Sequence, residues 1–160
     1  MSTATMTPER TDLLAALAQA RFFLRYTARD LTTEQAAQRT TVSALSVGGL
    51  IKHVALTEQA WANFIVDGPI ALGDKDYSEL TDEDFAERDR EFMLLPGETL
   101  DSVLSMYDEI AARTDELVRI VDSLDATHPL PDAPWFTDST WSVRRVLGHI
   151  ISETSQHAGH

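Results

Sequence analysis

Ser142-Val-Arg-Arg-Val-Leu-Gly-His149-Ile-Ile-Ser-Glu153-Thr-Ser-Gln-His157-Ala-Gly-His160 carries two patterns at once. Val143, Leu147, Ile150, Ile151 and Thr154 recur at helical spacing, which predicts one helix over 142–160. His149, Glu153 and His157 follow at intervals of four and project from one stripe, which His160 joins. At about 100° per residue, Val143, Leu147, Ile151 and Ala158 centre well over a quarter turn from Glu153. The polar stripe therefore runs along the shoulder of a buried seam, where a bundle opens into a cleft. Imidazoles and a carboxylate placed this way look like half of a metal site of the kind that facing helices supply. The alternative is a solvated shoulder whose histidines fall there by chance.

Working back from that helix, the same period recurs three times. Thr7-Pro8 is a helix start, and Leu13, Leu14, Leu17, Ala20, Arg21, Leu24 and Ala28 give a stripe through about Arg29. Phe22, Phe23 and Tyr26 broaden that stripe, so the first helix is expected to be heavily buried. Thr32 with Gln35 is a capping box for a short helix at 34–38. A second long helix within Ser43–Val66 is capped by Ser46, with Leu50, Ile51, Val54, Trp61 and Ile65 facing the core and His53 at the edge. Residues 67–97 read as an acidic crossover with a small helix at 82–92, packed down by Tyr77, Phe85 and Phe92. Thr99 caps a third long helix whose apolar positions run from Leu100 to Leu124. Pro129, Pro131 and Pro134 then make a rigid loop, with no alternating strand pattern anywhere. The fold class is all-α: a four-helix bundle with a long crossover carrying a short helix.

The composition bounds what such a bundle can do. A chain of 160 residues, 43% hydrophobic and 24% charged, is expected to form a single domain over 1–160. No run of eighteen apolar residues is present, so no membrane span is expected. The stretch Met1–Thr11 is polar and lacks the apolar core of a secretory signal, and a cytoplasmic location is expected. Cysteine is absent, which excludes disulfides, a thiolate nucleophile and thiolate metal ligands. Any metal must be held by His, Asp or Glu, a donor set that suits zinc, nickel, iron or manganese. A net charge of -13, with Lys52 and Lys75 the only lysines, argues against nucleic acid.

Ser46-Val-Gly-Gly-Leu-Ile-Lys-His53-Val echoes Ser142-Val-Arg-Arg-Val-Leu-Gly-His149-Ile: each histidine follows a capping serine by seven residues. Pseudo-symmetry would set His53 and His149 at similar depth and turn His53 toward the last helix. Amphipathic helices with serine caps also resemble one another by chance.

Ser46-Val-Gly-Gly-Leu-Ile-Lys-His53-Val-Ala, followed by Glu58 and Trp61, resembles the helix-two motif of the DinB/YfiT-like metalloprotein superfamily. Glu153-Thr-Ser-Gln-His157-Ala-Gly-His160 resembles its helix-four motif, in a form similar to the actinobacterial branch near the mycothiol-dependent maleylpyruvate isomerases. The similarity runs from residue 8 to residue 160. It implies a divalent metal in a cleft held by His53, Glu153 and His157, with zinc first and nickel as the alternative. It also implies a transferase or isomerase acting on a small-molecule electrophile with a low-molecular-weight thiol. The other class left open is a non-catalytic metal-binding stress-response module.

Around that implied set, His149, one turn from Glu153, could be a fourth ligand, a core histidine or, the favoured reading, a partner that orients Glu153, and His160 is a weaker candidate for the same surroundings. Glu58 falls on the apolar side of its helix; either it pairs with an arginine such as Arg21 or it works as an acid or base near the metal. Arg145, with Arg144, could hold a carboxylate of the cosubstrate, or be solvated. His128 reads as a plain surface residue, and Trp61, Phe64, Trp135 and Trp141 as core. Apolar surface on the first and third long helices exceeds what one seam needs, which points to a two-fold homodimer.

Overall fold

Each long helix starts where a hydroxyl can take up an unpaired N–H of the first turn. Thr7, Ser46, Thr99 and Ser142 accept from Arg10, Gly49, Ser102 and Arg145 at 3.3, 3.0, 3.0 and 3.1 Å. These caps open α1 (Pro8–Tyr26), α3 (Val47–Asp67), α5 (Leu100–Ile120) and α6 (Val143–Ala158). Thr32 and Thr81 form capping boxes for the short helices α2 (Thr33–Ala37) and α4 (Asp82–Arg90). The computed structural model describes residues 4–160. Met1–Thr3, part of the start read as lacking a secretory signal, lie outside the described residues. Among the described residues no helix is long and apolar enough to cross a membrane.

The chain is an all-α bundle, and its four long helices form a ring in which α1 touches α5 and α6, and α3 touches the same two. Directions follow from the ion pairs and stacked rings. Arg10 near the start of α1 reaches the end of α5, and Arg21 reaches Asp115, so these two helices are antiparallel. Glu9 pairs with Arg144, so α1 and α6 run together. His53 meets His157 while Trp61 meets His149, so α3 and α6 are antiparallel. It follows that α3 and α5 are parallel, and the chain must return along the bundle between them. That is the physical reason for the long crossover, which contains α4 and two 3-10 turns, Gly68–Leu72 and Tyr77–Glu79.

Helix ends differ from expectation where tertiary groups intervene. Leu124 continues the apolar stripe of α5, yet the helix stops at Ile120. The buried Arg10 donates from Nη1 to the Val118 carbonyl at 2.8 Å and from Nη2 to that of Val121 at 2.6 Å, capping the helix from outside. At the end of α3, Gly68 adopts φ 75°, and a Cβ there would lie 3.0 Å from Nδ1 of His128.

Three expectations are corrected here. The proline loop closes as an antiparallel hairpin of β1 (Thr127–Pro129) and β2 (Thr140–Ser142), pairing His128 with Trp141. Three-residue strands are too short to show a period in sequence. His128 is not a plain surface residue: it is half-buried, lies against Phe64, and its Nε2 is 3.1 Å from the Ile65 carbonyl oxygen. On α1, Phe22, Phe23 and Tyr26 are not buried but 60%, 53% and 50% exposed. Phe22 stacks on Tyr26 and meets Phe23 edge-on, and Phe23 borders an open groove with Ile151, Ser155 and Ala158 of α6.

The interior is layered. One apolar cluster gathers Leu17, Trp61, Val118, Trp141 and Leu147 near the hairpin; the other gathers Leu24, Leu50, Val54, Val103 and Tyr107 at the far end. Between them lies Glu58, 1% exposed, bonded by Arg21 through Nη2 to Oε1 at 2.5 Å and Nε to Oε2 at 3.2 Å. Arg21 also donates to Asp115 at 2.9 Å. The bidentate geometry compensates both charges, which a buried pair requires.

Candidate functional site

The site is assembled by the glycines that precede His53. A Cβ on Gly49 would lie 2.7 Å from the Phe92 carbonyl carbon and closer still to its oxygen. A Cβ on Gly48 would lie 2.7 Å from Cδ1 of Leu94. Bare backbone on α3 thus lets the chain leaving α4 lie directly against it. Lys52 fastens that approach: its buried ammonium donates to the carbonyls of Arg90 and Met93, both at 3.2 Å, and to Glu98 Oε1 at 2.7 Å. The result is a Phe92 ring stacked on His53, centres 4.3 Å apart and planes at 25°. Sequence reasoning missed Lys52; the available signal was a lysine, one of only two, inside an apolar and glycine-rich run.

Across the seam, the His53 and His157 rings stand 5.2 Å apart at 85°. Glu153 Oε2 is 3.6 Å from His157 Nε2, beyond a hydrogen bond. Nδ1 of His53 is buried and, among the described residues, has no partner. Burial pushes the His53 imidazole below its ordinary value; nearby His157 and Arg88 push the same way, against the pull of Glu153. His53 is therefore neutral at pH 7, with a lone pair available.

The remaining expected residues scatter around this group. His149 lies one helical turn back, its ring 5.0 Å from both Trp61 and Trp141, and no hydrogen bond joins it to Glu153 among the described residues. The echo between the two serine-capped helices does not set His53 and His149 at one depth. The helices are antiparallel, so His53 meets His157 and His149 meets Trp61. His160 is exposed, its ring 6.2 Å from that of His157. Glu58 is engaged by Arg21 in the polar layer. Arg144 is taken up by Glu9 and Asp125, whereas Arg145 lies over the Trp141 ring, 4.2 Å from its centre.

His53 and Phe92 stand in a cleft of about 670 Å³ between α3, the crossover and the loop of the hairpin. Trp135 lines that cleft and is 55% exposed, which corrects its assignment to the core. Trp61, Phe64 and Trp141 are core as expected. Among the described residues, no three His, Asp or Glu side chains stand in a ready coordination geometry. The donors nonetheless fit a divalent ion in kind: two imidazoles, one with a buried unpaired nitrogen, and a carboxylate beside them.

Fold and cleft define a helical bundle of DinB/YfiT-like build, with histidines facing each other across the seam between α3 and α6. A family model described as Mycothiol-S-transferase matches residues 12–160. The chain belongs to the mycothiol S-transferase family, in the mycothiol-related branch of that superfamily. Comparison with curated proteins returns no match.

Proposed function

We propose that the protein transfers the sulfur of mycothiol to a small electrophile, with His53, Glu153 and His157 holding a divalent ion, zinc before nickel. The observation that carries this is the approach of two imidazoles from facing helices at one end of a cleft, one with a buried, unpaired nitrogen. A divalent ion bound by such a set lowers the pKa of a thiol or water that reaches it.

The chain has no cysteine, so the nucleophilic sulfur comes from the cosubstrate. That sulfur gains a bond to an electrophilic carbon. The leaving group departs with the electron pair of the broken bond, or, in an addition, the thiol proton ends on the adduct. His53 stays neutral because Phe92 covers its ring, and Trp61 and Trp141 keep water from His149. Glu153 in place of a third imidazole lowers the charge of the set by one unit, so thiol transfer outruns hydrolysis. Low-molecular-weight thiols are kept reduced in the cytoplasm, which is where we place the protein.

The test is turnover of mycothiol with a panel of electrophiles, using metal-loaded and metal-free protein. His53→Ala and His157→Ala should lose bound metal and activity together, since each removes one of three ligands. His149→Ala should keep the metal, since His149 is not one of the three ligands and lies between Trp61 and Trp141. Equal rates with and without metal across the panel would refute thiol transfer at this site and leave a non-catalytic metal-binding module.

A further inference from the structure

The end of the cleft remote from His53 is built differently. Trp135 and Tyr77, 55% and 46% exposed, meet with ring centres 5.0 Å apart and planes at 90°. They form an aromatic corner open to the cleft that both line. The corner is firmly backed: Phe136 lies 6.0 Å from Trp135 and packs on Trp61 and Trp141 in the core at 6.3 and 5.6 Å. Gln59 and Asn63, one turn apart on α3, line the same cleft, as does the Asp132 carboxylate from the hairpin loop. From His53 to Asn63 the cleft follows α3 for about 15 Å at the helical rise per residue.

The charges narrow what can lie there. Asp74, Asp84, Glu87, Glu91 and Asp132 stand along the cleft against Lys75 and Arg88. Lys75 is already held by both oxygens of Asp84, at 2.9 and 3.0 Å. An anionic occupant would meet uncompensated carboxylates and is disfavoured. Aromatic faces carry negative potential that attracts the slightly positive C–H face of a sugar ring, while carboxylate and amide groups accept and donate to its hydroxyls.

We propose that the Trp135–Tyr77 corner is a subsite for a neutral glycoside, the sugar end of the thiol cosubstrate, stacked on Trp135 and bonded by Asp132 and Asn63. This rests on the thiol-transfer assignment only for placing the sulfur toward His53. The same arrangement disfavours an anionic peptide thiol such as glutathione.

The experiment is calorimetric binding of the glycoside portion of mycothiol as its neutral N-acetylglucosaminyl-inositol, without the thiol, to the full chain. Wild type should bind; Trp135→Ala should weaken binding about tenfold, as loss of an aromatic stack and its contact area does. Trp135→Phe should recover part of that affinity, and thermal unfolding of the variants checks that the fold is kept. In turnover, Trp135→Ala should raise KM for mycothiol by a larger factor than KM for N-acetylcysteine, which lacks the sugar. Absence of glycoside binding to wild type, or equal affinity in a folded Trp135→Ala, overturns the subsite whatever the turnover shows. Trp135-dependent binding without turnover of any thiol would keep the subsite and refute thiol transfer instead.

Discussion

Replacing Gly49 by alanine should destabilise the protein, although alanine is the better helix former. In a helix interior the exchange by itself gains about 1 kcal/mol. Here the new methyl group meets backbone only: the Phe92 carbonyl and, at 3.0 Å, Cα of Met93. No side-chain rotamer relieves it, and forcing an extra methyl into a packed contact costs about 1–3 kcal/mol. The segment cannot simply withdraw, because Lys52 ties the carbonyls of Arg90 and Met93 to α3. Losing one charge-assisted hydrogen bond adds about 1.5–3 kcal/mol. The net loss is about 2–4 kcal/mol, or a fall in Tm of about 5–15 °C for a chain of this size. Gly148→Ala is the control: that exposed position on α6 would have nothing within 4 Å of its new Cβ. It should gain up to about 1 kcal/mol and raise Tm by about 2–4 °C. Thermal unfolding followed by helical circular dichroism reads both. The same displacement lifts Phe92 from His53, so the His53 imidazole should titrate closer to its ordinary value by NMR. A Gly49→Ala protein as stable as Gly148→Ala would refute the account of how the crossover is seated.

Arg21→Ala leaves Glu58 charged and uncompensated between the two apolar clusters, and should cost about 3–5 kcal/mol in denaturant unfolding; a loss below about 1 kcal/mol would mean the pair is solvated. Burial holds the His149 imidazole below its ordinary value, against Glu153 and with Arg145 pushing the same way. The unfolded chain takes up that proton near about 6.5, so stability should fall as pH drops from there through the folded value, and His149→Gln should flatten that slope. Chelation should lower Tm modestly and leave the room-temperature helical signal intact, because the apolar layers close without an ion; complete unfolding would mark a structural metal instead. The exposed stack of Phe22, Phe23 and Tyr26 should lie in a two-fold dimer interface, so that sedimentation finds dimers and Phe23→Asp finds monomers; a monomeric wild type at micromolar concentration would end that idea.

Much of this was legible in residue order because helices write themselves locally. Ser46, Thr99 and Ser142 mark their starts, and the 3.6-residue period marks their faces; Glu58 on an apolar face left an arginine partner or a role near the metal open, and the structure gives it Arg21. The stripe of His149, Glu153 and His157 is also local, since four-residue spacing lines up side chains on any helix. Which of those groups meets His53 is not local. It depends on the direction and shift of α6 against α3, which every contact along the seam sets together; antiparallel packing brings His157 to His53 and leaves His149 between tryptophans. Exposure of Phe22 and Phe23 depends likewise on which sides of α1 receive neighbours. The hairpin, the burial of Lys52 and the cover of Phe92 over His53 come from segments distant in sequence whose backbones touch, and no period records such a meeting. A sequence states what each face could bury; the tertiary structure alone decides what it is buried against.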